Sequence, residues 1–243
     1  MMDWQALAAA CRRANASYIE KDVDCQAAFE KLGDTWIGQY ADASHQACLS
    51  VDSHGQTWLS ISGTRASNLQ LGDVLRDVAL EPVKVNDGTV TQGAAEGMDR
   101  VFAWAASTAP AASVFQLTGH SLGAVSVQTA PAFMPAERIG ALYSFGAPKF
   151  IANDFFASHA AVFKRLIAAV DGADGWSSWP WFDHRWQYRA PVPTVWLKDN
   201  GAFQIIPDGN QWPGGWDFGD HDIDEYQKRI DKIAAADLEP EAA

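Results

Sequence analysis

The chain is short of positive charge. Its 243 residues carry 18 Lys and Arg against 30 Asp and Glu, a formal net charge of −12. No basic run is longer than Arg12-Arg13 or Lys164-Arg165. The basic face that a nucleic-acid binder needs is therefore missing, and so is the charge that would draw the whole chain to anionic lipid. Cysteine is scarce as well. Cys11, Cys25 and Cys48 all lie near the start, show no metal-ligand spacing and are odd in number, so they cannot pair completely within the chain. That pattern predicts a reducing compartment and no metal centre. No apolar run approaches the roughly 18 residues of a membrane span, and Met1-Met2-Asp3-Trp4 lacks the basic and apolar segments of a leader. These absences predict a soluble cytoplasmic protein.

Apolar residues, at 48%, are plentiful enough for a sizeable core, and the length suits one large domain over residues 1–243. Helical spacing of Trp4, Leu7, Ala8 and Cys11 predicts a helix over 3–16, with a second, short one over 24–33. Ala47–Val51 and Thr57–Ser62 flank the turn signal Asp52-Ser53-His54-Gly55 and predict an antiparallel hairpin. Residues 92–107 carry Ala94, Met98, Val101, Phe102 and Ala105 at helical spacing. Strands are predicted at 114–118, Ile139–Phe145, Phe163–Val170 and Thr194–Leu197, with helices near 153–159 and over 221–236. The rest of 175–219, rich in Trp, Pro and Gly, reads as irregular loop. Strands alternating with helices predict an α/β protein whose mostly parallel central sheet is flanked by helices. No repeat and no linker divides it.

The most informative segment is Gly119-His120-Ser121-Leu122-Gly123. The strand-like run Val114-Phe115-Gln116-Leu117-Thr118 precedes it, and the small-residue segment from Ala124 to Ala130 can open a helix. G-x-S-x-G between a strand and a helix is the setting of a nucleophilic serine held in a sharp turn. A serine hydroxyl is a weak nucleophile, so it needs a His to take its proton and an Asp or Glu to orient that His. Beyond Ser121 only His159, His184 and His221 are available.

These residues resemble the class 3, fungal-type triacylglycerol lipases of the α/β-hydrolase superfamily. The likeness covers about residues 55–230 through five separated matches. They are Ser60-Ile61-Ser62-Gly63-Thr64-Arg65, Asp73-Val74-Leu75-Arg76-Asp77, the stretch Leu117 to Gly123, the stretch Tyr143 to Lys149, and His221-Asp222-Ile223-Asp224-Glu225-Tyr226. The resemblance implies an α/β-hydrolase fold and a Ser-His-Asp triad cleaving carboxylic esters, with glycerolipids the leading substrates and phospholipid or small aromatic esters open. It implies His221 as the base. For the acid it implies Asp174, which keeps the family's distance to Pro180, or Asp171, which keeps the better distance from Arg165. The segment 175–180 departs from the family pattern, and the choice stays open here. The oxyanion donors it implies are the backbone N–H groups of Leu122, next to the nucleophile, and Thr64. No cofactor or metal is implied.

On the substrate side, residues 65–78 correspond to the family's lid, shortened here and carrying Arg65, Asp73, Arg76 and Asp77. A mobile lid and a permanently packed helix are both compatible with it. Seven of the 11 Trp, from Trp176 to Trp216, fall between the proposed acid and base. Trp is core filler in most proteins, but loops at this place would rim an apolar acyl groove or touch a lipid surface. Two rival readings stand beside ester hydrolysis. One is another acyl-transfer enzyme (amidase, thioesterase, phospholipase or acyltransferase), because the same triad serves all of these. The other is a non-catalytic binding module.

Overall fold

In the computed structural model, residues 2–63 and 79–236 are described. Ten strands are found there: β1 (Thr35–Ala41), β2 (Gln46–Val51), β3 (Thr57–Ile61), β4 (Pro82–Val85), β5 (Gly88–Thr91), β6 (Phe115–His120), β7 (Ile139–Phe145), β8 (Leu166–Asp171), β9 (Thr194–Leu197) and β10 (Phe203–Ile206). Eight of them form one sheet in the order β1-β2-β3-β6-β7-β8-β9-β10, while β4 and β5 pair alone. β3, β6, β7, β8 and β9 run parallel, and the outer pairs β1/β2, β2/β3 and β9/β10 are antiparallel. A parallel run needs crossover connections, which place helices on the sheet faces.

Among the described residues the α-helices are α1 (Trp4–Ala16), α2 (Asp22–Lys31), α3 (Gln92–Ala95), α4 (Met98–Thr108), α5 (Leu122–Thr129), α6 (Asn153–Ser158), α7 (Ala160–Phe163) and α8 (Ile223–Ala236). Asp3 caps α1 by accepting from the Ala6 N–H at 2.9 Å, a contact worth about 1 kcal/mol. Strand side chains alternate between two cores. Leu49, Leu59, Phe115, Leu117 and Leu142 point to the face covered by Met98, Val101 and Phe102 of α4 and Val125 of α5. Trp58, Tyr143, Phe145 and Val195 point to the face covered by Leu7, Ala8 and Cys11 of α1 and Tyr226, Ile230 and Ile233 of α8. The two terminal helices therefore share a face, and α8 is held over the strand ends that carry the candidate site.

Several local expectations need correction. The helix expected over 92–107 is two helices, because Gly97 takes φ +74°, outside the helical region, and breaks the chain between them. The strand expected over Phe163–Val170 begins only at Leu166, since Phe163 closes α7 with Arg165 turning back on Val162. The second helix starts at Asp22 rather than 24. The edge strands β1 and β10 and the β4/β5 hairpin were not foreseen. β1 and β10 carry polar and partly exposed residues (Thr35, Gly38, Gln39, Gln204), which blur the alternation a half-buried strand shows. All three cysteines are free and buried, with Cys25 Sγ 3.4 Å from Cys48 Sγ. Among the described residues, no helix is long and apolar enough to cross a membrane.

Candidate active site

Ser121 stands between the end of β6 and the first residue of α5 with φ +58° and ψ −126°. A non-glycine residue in that region costs on the order of 1–3 kcal/mol, and the surrounding structure must over-determine it. Three features do so. The Ser121 N–H donates to the Phe145 carbonyl at 3.0 Å, tying the turn to the end of β7. α5 packs directly against the end of β3, where a side chain at Gly123 would run into the Ile61 carbonyl and stand 2.8 Å from the Ser62 carbonyl carbon. A side chain at Gly119 would strike the Gly123 backbone. The two glycines of the motif are thus spacing residues that let strand and helix approach closely enough to bend the chain at Ser121.

His221 lies in a short 3-10 turn, Gly219–His221, just before α8, and is 1% exposed. Its Nε2 is 2.9 Å from Ser121 Oγ. Its Nδ1 is 2.9 Å and 3.0 Å from the two carboxylate oxygens of Asp174. Asp174 is fully buried in the turn after β8. It also accepts from the Ser177 N–H at 3.0 Å, the Ser177 hydroxyl at 2.7 Å and the Tyr226 hydroxyl at 2.7 Å. Burial alone would raise its pKa. The neighbouring His221 and the hydrogen bonds from His221, Ser177 and Tyr226 outweigh that and bring it down to about 2. Asp174 is therefore a fixed carboxylate at neutral pH. Gly146 at the end of β7 clears the space: a side chain there would come within 3.1 Å of Asp174 Oδ2 and 3.2 Å of His221 Cε1.

The geometry separates the two acid candidates. Asp171, the last residue of β8, makes no contact with His221; its Oδ1 is bound by Arg229 Nη1 at 2.6 Å. Arg229 also reaches Asp199 at 2.9 Å and Asp220 at 3.2 Å. Burial outweighs the attraction of that shared guanidinium, Asp220 and Asp174 add repulsion, and the Asp171 carboxyl is pushed up to about 8. Of the residues singled out from sequence, Ser121, Asp174 and His221 come together. Leu122 is the first residue of α5, where an N–H has no acceptor within the helix. Thr64 and the segment 65–78 lie outside the described residues.

Four contributors were not assigned from sequence. Tyr226 spans the site: its hydroxyl donates to Asp174 and accepts from the Asp171 N–H at 3.0 Å. Its place in the motif that begins at His221 was the available signal. Ser177, three residues after Asp174, was hidden in the Trp-rich segment. Tyr18, in the turn after α1, is 2.8 Å from His120 Nδ1. The His120 ring packs 4.6 Å from that of His221. Burial, with the adjacent His221, pushes its pKa well down, so His120 is a neutral packing partner at pH 7. Trp176, Trp179, Trp186 and Trp212 prove to be buried filler, whereas Trp181, Phe182 and Trp216 are 41%, 55% and 64% exposed and form an edge-to-face cluster. Among the described residues, no group of three or more His, Cys, Asp or Glu side chains is placed to hold a metal ion.

No protein-family model and no curated protein sequence matches the chain. Solved structures do. The chain is similar to a triacylglycerol lipase whose catalytic centre is a serine-protease triad, with TM-score 0.68 and 15% identity, 89% of this chain and 92% of that one being covered. It is similar to lipase II of Rhizopus niveus, with TM-score 0.67 and 16% identity over 90% and 92% of the two chains. For the Lip2 lipase of Yarrowia lipolytica the TM-score is 0.66 and the identity 16%, over 85% and 84%. The chain has the fold of the fungal triacylglycerol lipases, an α/β-hydrolase-type fold with a mostly parallel central sheet of eight strands flanked by helices.

Proposed function

We propose that this protein is a serine hydrolase of carboxylic esters, with glycerolipid esters as the leading substrate class. One observation carries the reading. Ser121 Oγ, His221 and Asp174 form an unbroken hydrogen-bonded line on a strained strand-to-helix turn. In the proposed reaction His221 Nε2 takes the Ser121 proton as Oγ attacks the acyl carbon, then returns it to the leaving alcohol. Asp174 accepts the Nδ1–H and stabilises the imidazolium that forms, while Tyr226 and Ser177 hold the carboxylate in place. The Leu122 N–H, and by resemblance that of Thr64, hold the oxyanion as it develops. Water then attacks the acyl-enzyme with His221 again as base. These steps use only protein groups and water.

Support comes from three sides: the hydrogen-bond geometry, the ionised buried Asp174, and the likeness to triacylglycerol lipases, one of them with a serine-protease triad. The test is hydrolysis of p-nitrophenyl esters with two to sixteen acyl carbons by the wild type and by Ser121→Ala. Turnover confined to the wild type supports the reading, and the chain-length profile separates a lipase from a short-chain esterase. Thioester and amide analogues in the same panel test the other acyl-transfer chemistries. A folded protein that turns over none of the esters contradicts the reading.

A further inference from the structure

A cleft of about 260 Å³ is lined by Lys149, Ser178, Arg189, Trp212, Gly214 and Trp216, among others. It contains two cations in a chain of net charge −12. Neither makes an ion pair among the described residues, although Arg189 feels the attraction of the buried Asp174 carboxylate. Arg189 lines the cleft and is fixed by donating from Nη2 to the Ser177 carbonyl and by stacking over the Trp212 ring at 4.5 Å. Lys149 is half-buried, and its backbone N–H is pinned to the Trp179 carbonyl at 2.8 Å while its ammonium makes no ion pair. Burial and then the charge of Arg189 bring the Lys149 amine down to about 8, and burial lowers Arg189 to about 10. Other exposed cations here, such as Lys84, Arg100, Arg185 and Lys228, sit in ion pairs at 2.7–3.4 Å. Two like charges facing one half-closed cleft repel each other and lose hydration, and an anion seated between them relieves both costs. The mouth adds a second feature. Trp181 and Trp216, ring centroids 4.8 Å apart and largely exposed, form one wall, and Phe182 continues it. An indole wall beside a cationic floor fits a ligand whose anionic head continues into an apolar chain.

We propose that this cleft binds the oxyanion head, carboxylate or phosphate, of an amphiphile, with Lys149 and Arg189 on the head and Trp181 and Trp216 on the first part of the chain. The lining of the cleft includes none of Ser121, His221 and Asp174, and the proposal does not depend on ester hydrolysis. A free fatty acid and an anionic lipid headgroup share this chemistry, so the test keeps them apart. The full-length protein is titrated calorimetrically with inorganic phosphate, with sodium octanoate and with neutral 1-octanol. In parallel it is sedimented with vesicles of phosphatidylcholine alone or with 30% phosphatidylglycerol. The expected result is binding of octanoate or of the phosphatidylglycerol vesicles in preference to their neutral counterparts. That binding weakens at least tenfold in Lys149→Gln and is retained in Lys149→Arg; which arm responds identifies the source of the head.

A measurement on the wild type alone guards against a misfolded variant. Acetic anhydride at pH 8, read by peptide mass spectrometry, should modify Lys149 readily, and octanoate or the anionic vesicles should protect it selectively over Lys84 and Lys228. No preference for either anionic probe overturns the proposal. So does binding unchanged in a folded Lys149→Gln, or acylation of Lys149 indifferent to every anionic probe.

Discussion

Replacing Asp174 and Asp171 in turn by Asn is the most informative perturbation of the site, because the two side chains are close in sequence and have different partners, His221 for one and Arg229 for the other. Asn at 174 keeps the shape of the carboxylate. It replaces one of the two oxygens, which lie 2.9 Å and 3.0 Å from His221 Nδ1, with an NH₂ that can only donate. Wherever that group faces Nδ1, His221 is driven to the tautomer protonated on Nε2. In that tautomer Nε2 points a proton at Ser121 Oγ, 2.9 Å away, and has no lone pair to receive the Ser121 proton. The negative charge that would stabilise the imidazolium is lost as well. A wrong tautomer combined with a lost charge costs about 10⁴-fold in kcat, or about 5.4 kcal/mol of barrier.

Asn at 171 does neither. Asp171 does not touch His221, and with its pKa near 8 it is mostly neutral at pH 7, so an amide mimics its prevailing state. Arg229 keeps Asp199 and Asp220 as partners. Its kcat should remain within about threefold of wild type, well under 1 kcal/mol on the same scale. The assay is steady-state hydrolysis of p-nitrophenyl butyrate at pH 7, with circular dichroism confirming the fold of each variant. A kcat for Asp174→Asn within tenfold of wild type refutes the assignment, and so does a loss in Asp171→Asn that equals it.

Tyr226→Phe removes one charge-assisted hydrogen bond from Asp174, worth about 1.5–3 kcal/mol, and leaves the Asp171 N–H without its acceptor. Urea denaturation should show a loss of that order, with kcat reduced about 10–100-fold and KM little changed. Gly123→Ala forces a methyl against the Ile61 and Ser62 backbone. It should cost at least 1–3 kcal/mol and, by displacing Ser121, about 100-fold or more in kcat, measured in the same two assays. Acid stability should follow the depressed pKa of Asp174. That contribution is complete above the unfolded value near 3.8 and is lost as pH falls through about 2, so the Tm gap between wild type and Asp174→Asn should close across that window. Asp171 acts in the opposite sense. With its folded pKa raised to about 8, its contribution is complete below 3.8 and declines as pH rises toward 8, so Asp171→Asn should flatten the fall of Tm between pH 5 and 8.

The parts of the site legible in the sequence were those fixed by short-range chemistry. Gly119 and Gly123 stand out on either side of Ser121 because a side chain at either would run into backbone where α5 meets the end of β3. His221 was legible because it precedes a helix whose first turns carry Tyr226. The choice between Asp171 and Asp174 was not legible, since both follow the same strand. What distinguishes them in the structure is long-range: His221 and Tyr226 reach one carboxylate and Arg229 the other, contacts spanning 47 to 58 residues. The central strands β6 and β7 could be read from their apolar runs, whereas β1 and β10, partly exposed at the sheet edges, showed no alternation. The break at Gly97 was missed because the apolar spacing runs on across it, while its φ of +74° ends one helix and starts the next. For the Trp-rich segment, core filler and pocket rim both stayed open because composition does not tell a buried indole from an exposed one; Trp176, Trp179, Trp186 and Trp212 are buried, while Trp181 and Trp216 are exposed.

The central claim is that Ser121 is a nucleophile activated by His221. Its most direct test is stoichiometric reaction of the folded wild-type protein with a fluorophosphonate, read by intact mass and peptide sequencing. The account predicts one adduct per chain on Ser121, none in Ser121→Ala, and labelling slowed by orders of magnitude in a folded His221→Ala. No adduct in the folded wild type, or an adduct on any residue other than Ser121, contradicts it.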